Sequence, residues 1–460
     1  QALWRKISDQ ALAVALPSVA ELIEPRCLPS MMRESHNSLS IAAALQALHR
    51  PTIGVDLLSM RTAESAAHQR LIFEELLAHH FSLRNARLVR EADSAPNLVQ
   101  DADLFNRFID ALPFTLTNAQ QRVYAEVAAD IAGRSPMMRL VQGDVGSGKT
   151  VVAAAAMLHA AANNIQCVLM APTELLAEQH FQTIRGWFEP LGIQVAWLAS
   201  RTPAKQKRET LAALANGELL VAVGTHALIQ EAVSYRQLGL VVIDEQHRFG
   251  VDQRLALRNK TPSGVVPHQM VMTATPIPRT LAMSFYADLE VSSIDELPPG
   301  RIPVDTVVIP AETRRDEVIA RVQLACQKGR QVYWVCPLID ESEALSAQAA
   351  TDAEQELSQK LSGASVGLVH GRMKSQEKDA VMQAFRKAEI DVLVATTVIE
   401  VGVDVPNASL MIIENSERMG LAQLHQLRGR VGRGSEKSFC ILLYQMPLSQ
   451  HAKERLQTLR

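Results

Sequence analysis

Gly143-Asp-Val-Gly-Ser-Gly-Lys149-Thr150 satisfies G-x-x-x-x-G-K-[ST], and it lies between the apolar run Met138–Gln142 and a helical run that starts at Val151. A strand, a glycine-rich turn and a helix in that order bring backbone N–H groups close to phosphates and set them at the positive end of a helix. In this reading Gly143, Asp144, Gly146, Ser147 and Gly148 line a nucleotide cradle. Lys149 reaches the β- and γ-phosphates and the Thr150 hydroxyl holds Mg2+.

Outward from this loop, short apolar runs alternate with helical ones. Met138–Gln142, Val168–Ala171, Leu219–Val223, Leu238–Asp244 and Met270–Thr273 read as strands of one parallel sheet covered by helices on both faces. The Pro-rich stretch Glu296–Pro303 reads as a linker. Alternation then resumes with Gln331–Cys336, Val366–His370, Val392–Thr396, Ser409–Glu414 and Phe439–Tyr444. The expected division is a helical packing segment over 1–112, α/β domains over 113–297 and 298–446, and the start of a helical extension over 447–460. Within the first segment, Thr62–Val89 puts Leu71, Ile72, Leu76 and Leu77 on one helical stripe. The last residues, Leu448–Arg460, read as a helix with nothing yet to pack on.

The run Leu240-Val-Val-Ile-Asp244-Glu245 ends an apolar strand in two carboxylates. Asp244 is placed to share the Mg2+, and Glu245 to orient and deprotonate a water, which suggests hydrolysis rather than nucleotide storage. Far away, Gln426-Leu-Arg428-Gly-Arg430-Val-Gly-Arg433 carries three arginines in six residues. Alone they would read as a solvated basic turn. Beside a P-loop in the neighbouring domain, Arg430 and Arg433 make better sense as fingers that complete the γ-phosphate site when the cleft closes.

Other segments follow strand ends, the edge of a parallel sheet that carries ligands. Thr273-Ala-Thr275 could link the nucleotide site to the domain interface, although alone it would be an N-cap and turn. Pro172-Thr173-Glu174, Gly224-Thr225-His226 and His370-Gly371-Arg372 each read equally well as helix caps. Their recurrence in both domains favours a groove that grips a sugar–phosphate strand without reading bases.

Composition bounds the rest. The chain has 460 residues, enough for about three domains. With 46 basic and 49 acidic residues the net charge is -3, which excludes a protein coated in nucleic acid but not a local basic track. Aromatic content of 4% argues against base stacking as the main grip. Five scattered cysteines show no zinc-ligand spacing and fit a reducing compartment. There is no apolar run of 18 residues, so no membrane partner is expected and the reading is cytoplasmic. The chain begins at Gln1 rather than Met, which reads as a fragment or a trimmed chain.

The ordered set Gly143–Thr150, Asp244–His247, Thr273–Thr275 and Gln426–Arg433 resembles the superfamily 2 helicases and translocases. The longer runs Val141–Thr150, Met170–His180, Asp244–Gly250, Met272–Thr280, Leu368–Met373 and Ala395–Pro406 resemble the RecG family of branch-migration helicases. The resemblance implies two tandem RecA-like P-loop domains preceded by a mainly helical segment. It implies an ATP-driven double-stranded DNA translocase that reverses stalled forks and migrates Holliday junctions, associated with the nucleoid and often beside single-strand-binding protein. It further implies that Gln120 reads adenine with Phe114 near the base, that Gly402 and Asp404 lie at the nucleotide–interface seam, that Gln426 joins Arg430 and Arg433 at the phosphates, and that His247 takes part in coupling. A monomer is expected, since both halves of the ATP site lie in one chain.

Family members also carry an N-terminal wedge domain and a longer C-terminal extension, and this sequence is expected to lack the first and most of the second. A transcription–repair-coupling translocase is the alternative within the class, although Gln246 stands where that family has Glu. The alternative outside it is a fragment that binds nucleotide and DNA without productive work.

Overall fold

The computed structural model describes residues 2–24, 27–28, 39–200, 202–245, 260, 265–274, 289–298, 303–337, 343–396, 405, 407–432 and 437–459. The chain forms two compact units, Gln1–Arg90 and Glu91–Arg460.

The first unit is helical. Ser40 caps the helix Ile41–His49 and Asp56 caps Leu57–Arg61, each by accepting a backbone N–H of the first turn. Arg70 is buried, where it pairs with Glu21 and Glu74 and donates to the Leu39 carbonyl, so its charge is matched on three sides. The long helix Ala66–Glu91 starts later than the sequence pattern suggests. Its expected stripe is not a buried seam: Leu71 and Leu77 are half-buried, while Ile72 and Leu76 are exposed.

The second unit holds two parallel sheets. The first contains β1 (Met138–Gly143), β2 (Gln166–Met170), β3 (Val195–Leu198), β4 (Val221–Gly224), β5 (Leu238–Asp244), β6 (His268–Thr273) and β7 (Glu290–Ile294), in the order β3-β4-β2-β5-β6-β1-β7. Every residue of β2, β5 and β6 is buried, as strands covered on both faces require. Leu169, Leu240, Val242 and Met272 face one core with the helices Asn118–Ile131, Lys149–Ala162 and Glu174–Phe188. Val168, Met170, Val241 and Ile243 face the other, the period-2 alternation of a strand.

The second sheet contains β8 (Asp305–Pro310), β9 (Gln331–Val335), β10 (Val366–Val369), β11 (Val392–Ala395), β12 (Ala408–Ile413) and β13 (Phe439–Tyr444), in the order β10-β11-β9-β12-β13-β8. Tyr333 and Val335 enter one core and Val332 and Trp334 the other.

Three strands escaped the sequence reading, and all are edge or near-edge elements. β3 has four residues, β7 is half polar, and β8 follows the Pro-rich linker with Val307 still exposed. Within the expected segment 1–112, residues 91–112 pack into the first sheet's core through Leu98, Phe108 and Leu112. Backbone bonds from Ala95 to Arg134 and from Leu98 to Ile131 strap them there. The helix Gln450–Leu459 is packed, not dangling: Leu456 and Leu459 join the core around Leu424 and Leu427, and Arg455 donates to the Glu417 carbonyl. No helix among the described residues is long and apolar enough to cross a membrane.

Candidate nucleotide site and domain seam

Three adjacent strands, β5, β6 and β1, end at one edge of the first sheet. Their register, with Gln142 opposite Thr273 and Asp244 opposite Met272, brings the P-loop, Asp244, Glu245 and Thr273 together. The loop turns into the helix Lys149–Ala162 through Gly148, whose φ of +89° is left-handed and whose Cβ would lie 2.1 Å from Gln120 Nε2. No side chain fits there. Lys149 Nζ donates to the Gly143 and Asp144 carbonyls at 2.7 and 3.0 Å, which closes the loop into a ring. Ser147 Oγ is buried with no hydrogen-bond partner among the described residues, and Thr150 sits half-buried in the first turn of the helix.

This cradle fits a nucleotide phosphate, because a helix N-terminus, the cationic Lys149 and the buried, orphaned Ser147 hydroxyl converge on it. The donor set also fits Mg2+: one hydroxyl and one carboxylate are hard oxygen ligands of the kind that hold this ion together with phosphates. Among the described residues no cluster of three or more His, Cys, Asp or Glu side chains could hold a metal ion.

The two carboxylates have opposite characters. Burial would raise the Asp244 pKa, but the hydrogen bond and charge of His180 and the charge of Lys149 outweigh it and hold the carboxyl below its usual value. Burial raises that of Glu245, and the neighbouring Asp244 charge raises it further, against the pull of Lys149 and Arg430. Asp244 is thus suited to hold a cation and Glu245 to accept a proton. Glu245 also takes a φ of +53°, a left-handed conformation that a non-glycine residue adopts at a cost.

The second sheet contributes across the seam. Gly429 packs so closely on the P-loop that its Cβ would lie 3.0 Å from Val145. The next residue, Arg430, is buried and lies near enough to Glu245 for its charge to oppose the rise in that carboxyl's pKa. Gln426 is buried in the preceding helix Leu421–Arg428, and His425 Nε2 lies 3.5 Å from Asp144 Oδ1. Burial lowers the His425 pKa and Arg428 adds to that, against Asp144, so this contact is polar rather than ionic near neutrality.

Other expected residues fall into distinct places. The Gln120 amide is engaged on both sides: Oε1 accepts from Thr117 N–H at 2.9 Å and Nε2 donates to the Ser147 carbonyl at 2.8 Å. Phe114 is 43% exposed and edge-on to Trp187. Pro172, Thr173 and Glu174 follow β2, beside Gly224 at the end of β4 and Thr225 and His226 after it, because Met170 pairs with Gly224. Thr173 Oγ1 accepts from Leu176 N–H at 3.3 Å, an N-cap, and Thr225 Oγ1 is buried, whereas His226 is exposed. Gly371 and Arg372 are exposed after β10 on the other sheet. Arg433, His247, Thr275, Gly402 and Asp404 lie outside the described residues.

Two contacts were missed by sequence reasoning. His180 hydrogen-bonds Asp244, and His425 approaches Asp144. His180 ends the run Met170–His180 and His425 stands just before the run Gln426–Arg433, but their partners lie in other elements, and spacing along the chain carries no trace of them.

The profile of the DEAD/DEAH box helicase family matches residues 117–284, and that of the helicase conserved C-terminal domain matches 315–435. The two sheets are thus RecA-like helicase domains. The ATP-dependent DNA helicase RecG of Haemophilus influenzae is 55% identical over 459 residues, covering 99% of this chain and 65% of the relative. That of Escherichia coli K12 is 56% identical over 463 residues, covering 100% and 66%. This chain therefore spans just under two thirds of the length of these relatives. A solved structure described as RecG bound to a three-way DNA junction superposes with a TM-score of 0.79 at 40% identity, covering 100% of this chain and 58% of that one. With a P-loop, a carboxylate pair and an arginine-bearing seam on this sheet order, the chain belongs to the RecG family of superfamily 2 helicases.

Proposed function

We propose that this chain is the motor of an ATP-dependent translocase acting on branched double-stranded DNA, reversing stalled forks and migrating Holliday junctions in recombination and repair. The observation that carries the reading is the Val145–Gly429 seam, where the arginine-bearing segment of one sheet packs on the P-loop of the other. A hydrolysis site divided between two sheets ties turnover to their relative motion, which is what a motor needs. The substrate class is supported by the relative described as bound to a three-way DNA junction.

In this mechanism Lys149 exchanges the loop carbonyls for the phosphates of ATP. Thr150 and Asp244 hold Mg2+, which when bound neutralises phosphate charge. Glu245 takes the proton of the water that attacks the γ-phosphorus as the bond to the bridging oxygen breaks and ADP becomes the leaving group. Arg430, with Arg433 and Gln426, complements the charge on the transferring group, and the family resemblance assigns Gly402 and Asp404 a part in the same step. Thr273, Thr275 and His247 pass the state of the site to the interface. Pro172–Glu174, Gly224–His226, Gly371 and Arg372 supply the strand-tracking edge. Phe114 offers an exposed ring to the base, whereas the Gln120 amide is engaged with Thr117 and Ser147 and braces the loop beside it.

The motor works as a monomer in the cytoplasm at the nucleoid, with single-strand-binding protein as a partner. The relatives' names favour RecG over the transcription–repair-coupling type.

The test is steady-state ATP hydrolysis with no nucleic acid, duplex DNA, a model fork, a four-way junction and RNA, for wild type and Lys149→Ala. Stimulation by forks and junctions above plain duplex is expected, together with loss of turnover in the variant. Equal stimulation by duplex would leave a motor without branch preference. No stimulation by any of them would leave a nucleotide-binding piece and remove the proposal, and persistent turnover in Lys149→Ala would remove the P-loop from it.

A further inference from the structure

His180 has no place in the chemistry described so far, yet its Nε2 lies 2.7 Å from Asp244 Oδ2. Both side chains are buried, at 9% and 10% exposure, so little water competes for that bond. His180 belongs to the helix Glu174–Phe188, seven residues beyond its Thr173 cap and roughly 10 Å along the axis from it. At the start of the same helix, Leu175 packs against the core of the second sheet around Met411 and Ile413. One rigid element therefore touches the second domain at one end and the Asp244 carboxylate in its middle.

We propose that His180 is a positioning residue: by holding Oδ2 it fixes the direction of the Asp244 carboxylate toward the cation, and it ties that carboxylate to the helix that meets the second domain. This rests on the reading of Asp244 as an Mg2+-holding group. Hydrogen-bond partners of ligating carboxylates set their orientation, and losing one weakens metal binding by about 10- to 100-fold. The lowered pKa of Asp244 has the same hydrogen bond among its causes.

The experiment is binding of fluorescent ADP to the full chain, titrated with Mg2+, alongside thermal melting. His180→Ala is expected to raise the Mg2+ midpoint about tenfold or more, with ADP binding in EDTA unchanged. His180→Gln, whose amide nitrogen reaches the position of Nε2, restores the midpoint. His180→Asn, whose amide falls short, does not. The Gln and Asn variants carry the test by themselves where Ala fails to fold, because both keep a polar group of similar bulk. Midpoints equal to wild type in Ala and Asn, whatever the melting temperature, overturn the proposal, as does a Gln variant that behaves like Asn. A wild-type chain whose ADP binding ignores Mg2+ refutes instead the underlying assignment of Asp244 and Thr150.

Discussion

Gly429 and Val145 approach so closely that a Cβ on the glycine would lie 3.0 Å from both Cβ and Cγ2 of the valine. The glycine has an ordinary φ of -68°, so the position demands small size rather than an unusual backbone. Gly429→Val is therefore expected to push the second domain off the P-loop and carry Arg430 with it. Displacement of a catalytic group by about 1 Å costs on the order of 10²-fold in rate. Turnover in the presence of DNA should fall by that factor, while ADP binding, which uses the first domain's cradle, stays near wild type. Unchanged turnover would mean that the seam has no part in hydrolysis.

Gln120 offers a second separation. Its amide braces the P-loop through the Ser147 carbonyl and starts the helix Asn118–Ile131 through the Thr117 N–H. Gln120→Ala leaves those two groups without their partner, a loss of about 1–3 kcal/mol for each one left buried and unsatisfied. A brace predicts that ATP and GTP turnover fall together and that urea unfolding moves to lower concentration. A side chain that reads adenine predicts a selective loss of ATP with GTP spared. Paired measurements of kcat/KM for the two nucleotides decide between them, and the engaged amide favours the first.

The legible parts of this molecule are those whose signal is local. The P-loop is punctuated by glycines within eight residues, and Asp244 ends an apolar run, so strand, loop and acids could be read directly. Buried strands such as β5 and β9 stand out because both faces are apolar. Glu290–Ile294 has only two apolar residues, and Val195–Leu198, though apolar throughout, is a four-residue edge run that periodicity alone does not separate from a helical segment. The helix Gln450–Leu459 has a readable apolar side at Ala452, Leu456 and Leu459, but its partner Leu427 lies in a different helix. His180 and Asp244 are 64 residues apart, and only the crossover that lays helix Glu174–Phe188 on the sheet makes them neighbours.

His268 gives the strap over 91–112 a pH dependence. Its Nδ1 accepts from Met137 N–H at 3.0 Å and its Nε2 faces the Pro96 carbonyl at 2.7 Å, so the neutral ring with the proton on Nε2 satisfies both. Burial lowers its pKa below the ordinary 6.5, against the Pro96 carbonyl and Asp130. Above 6.5 the ring is neutral in folded and unfolded chains alike. As pH falls below that value the unfolded chain binds protons first, so stability declines until the folded pKa is reached and then levels. His159 shifts in the same direction, also through burial. The urea midpoint should drop between pH 7.5 and 5.5, and the drop should be smaller in His268→Gln. Amide exchange at Ala95 and Leu98, corrected for intrinsic rates, should lose protection over the same range. Equal drops in wild type and variant would remove His268 as the cause.

Arg372 and Thr173 should separate the two readings of the strand-end segments. Arg372 is exposed after β10, next to Gly371, whose carbonyl accepts from Lys378 Nζ at 2.7 Å. Thr173, by contrast, uses its hydroxyl to cap a helix. If Arg372 grips a phosphate, Arg372→Ala weakens duplex and junction binding by a similar factor and lowers the slope of log K against log salt by about 0.9. Thr173→Ala removes a cap, with a stability loss of about 1 kcal/mol and no change in that slope. Affinities measured across a salt series for both variants decide the matter. A slope unchanged in Arg372→Ala takes that residue off the DNA track, and a slope lowered in Thr173→Ala adds a phosphate contact that its capping role does not supply.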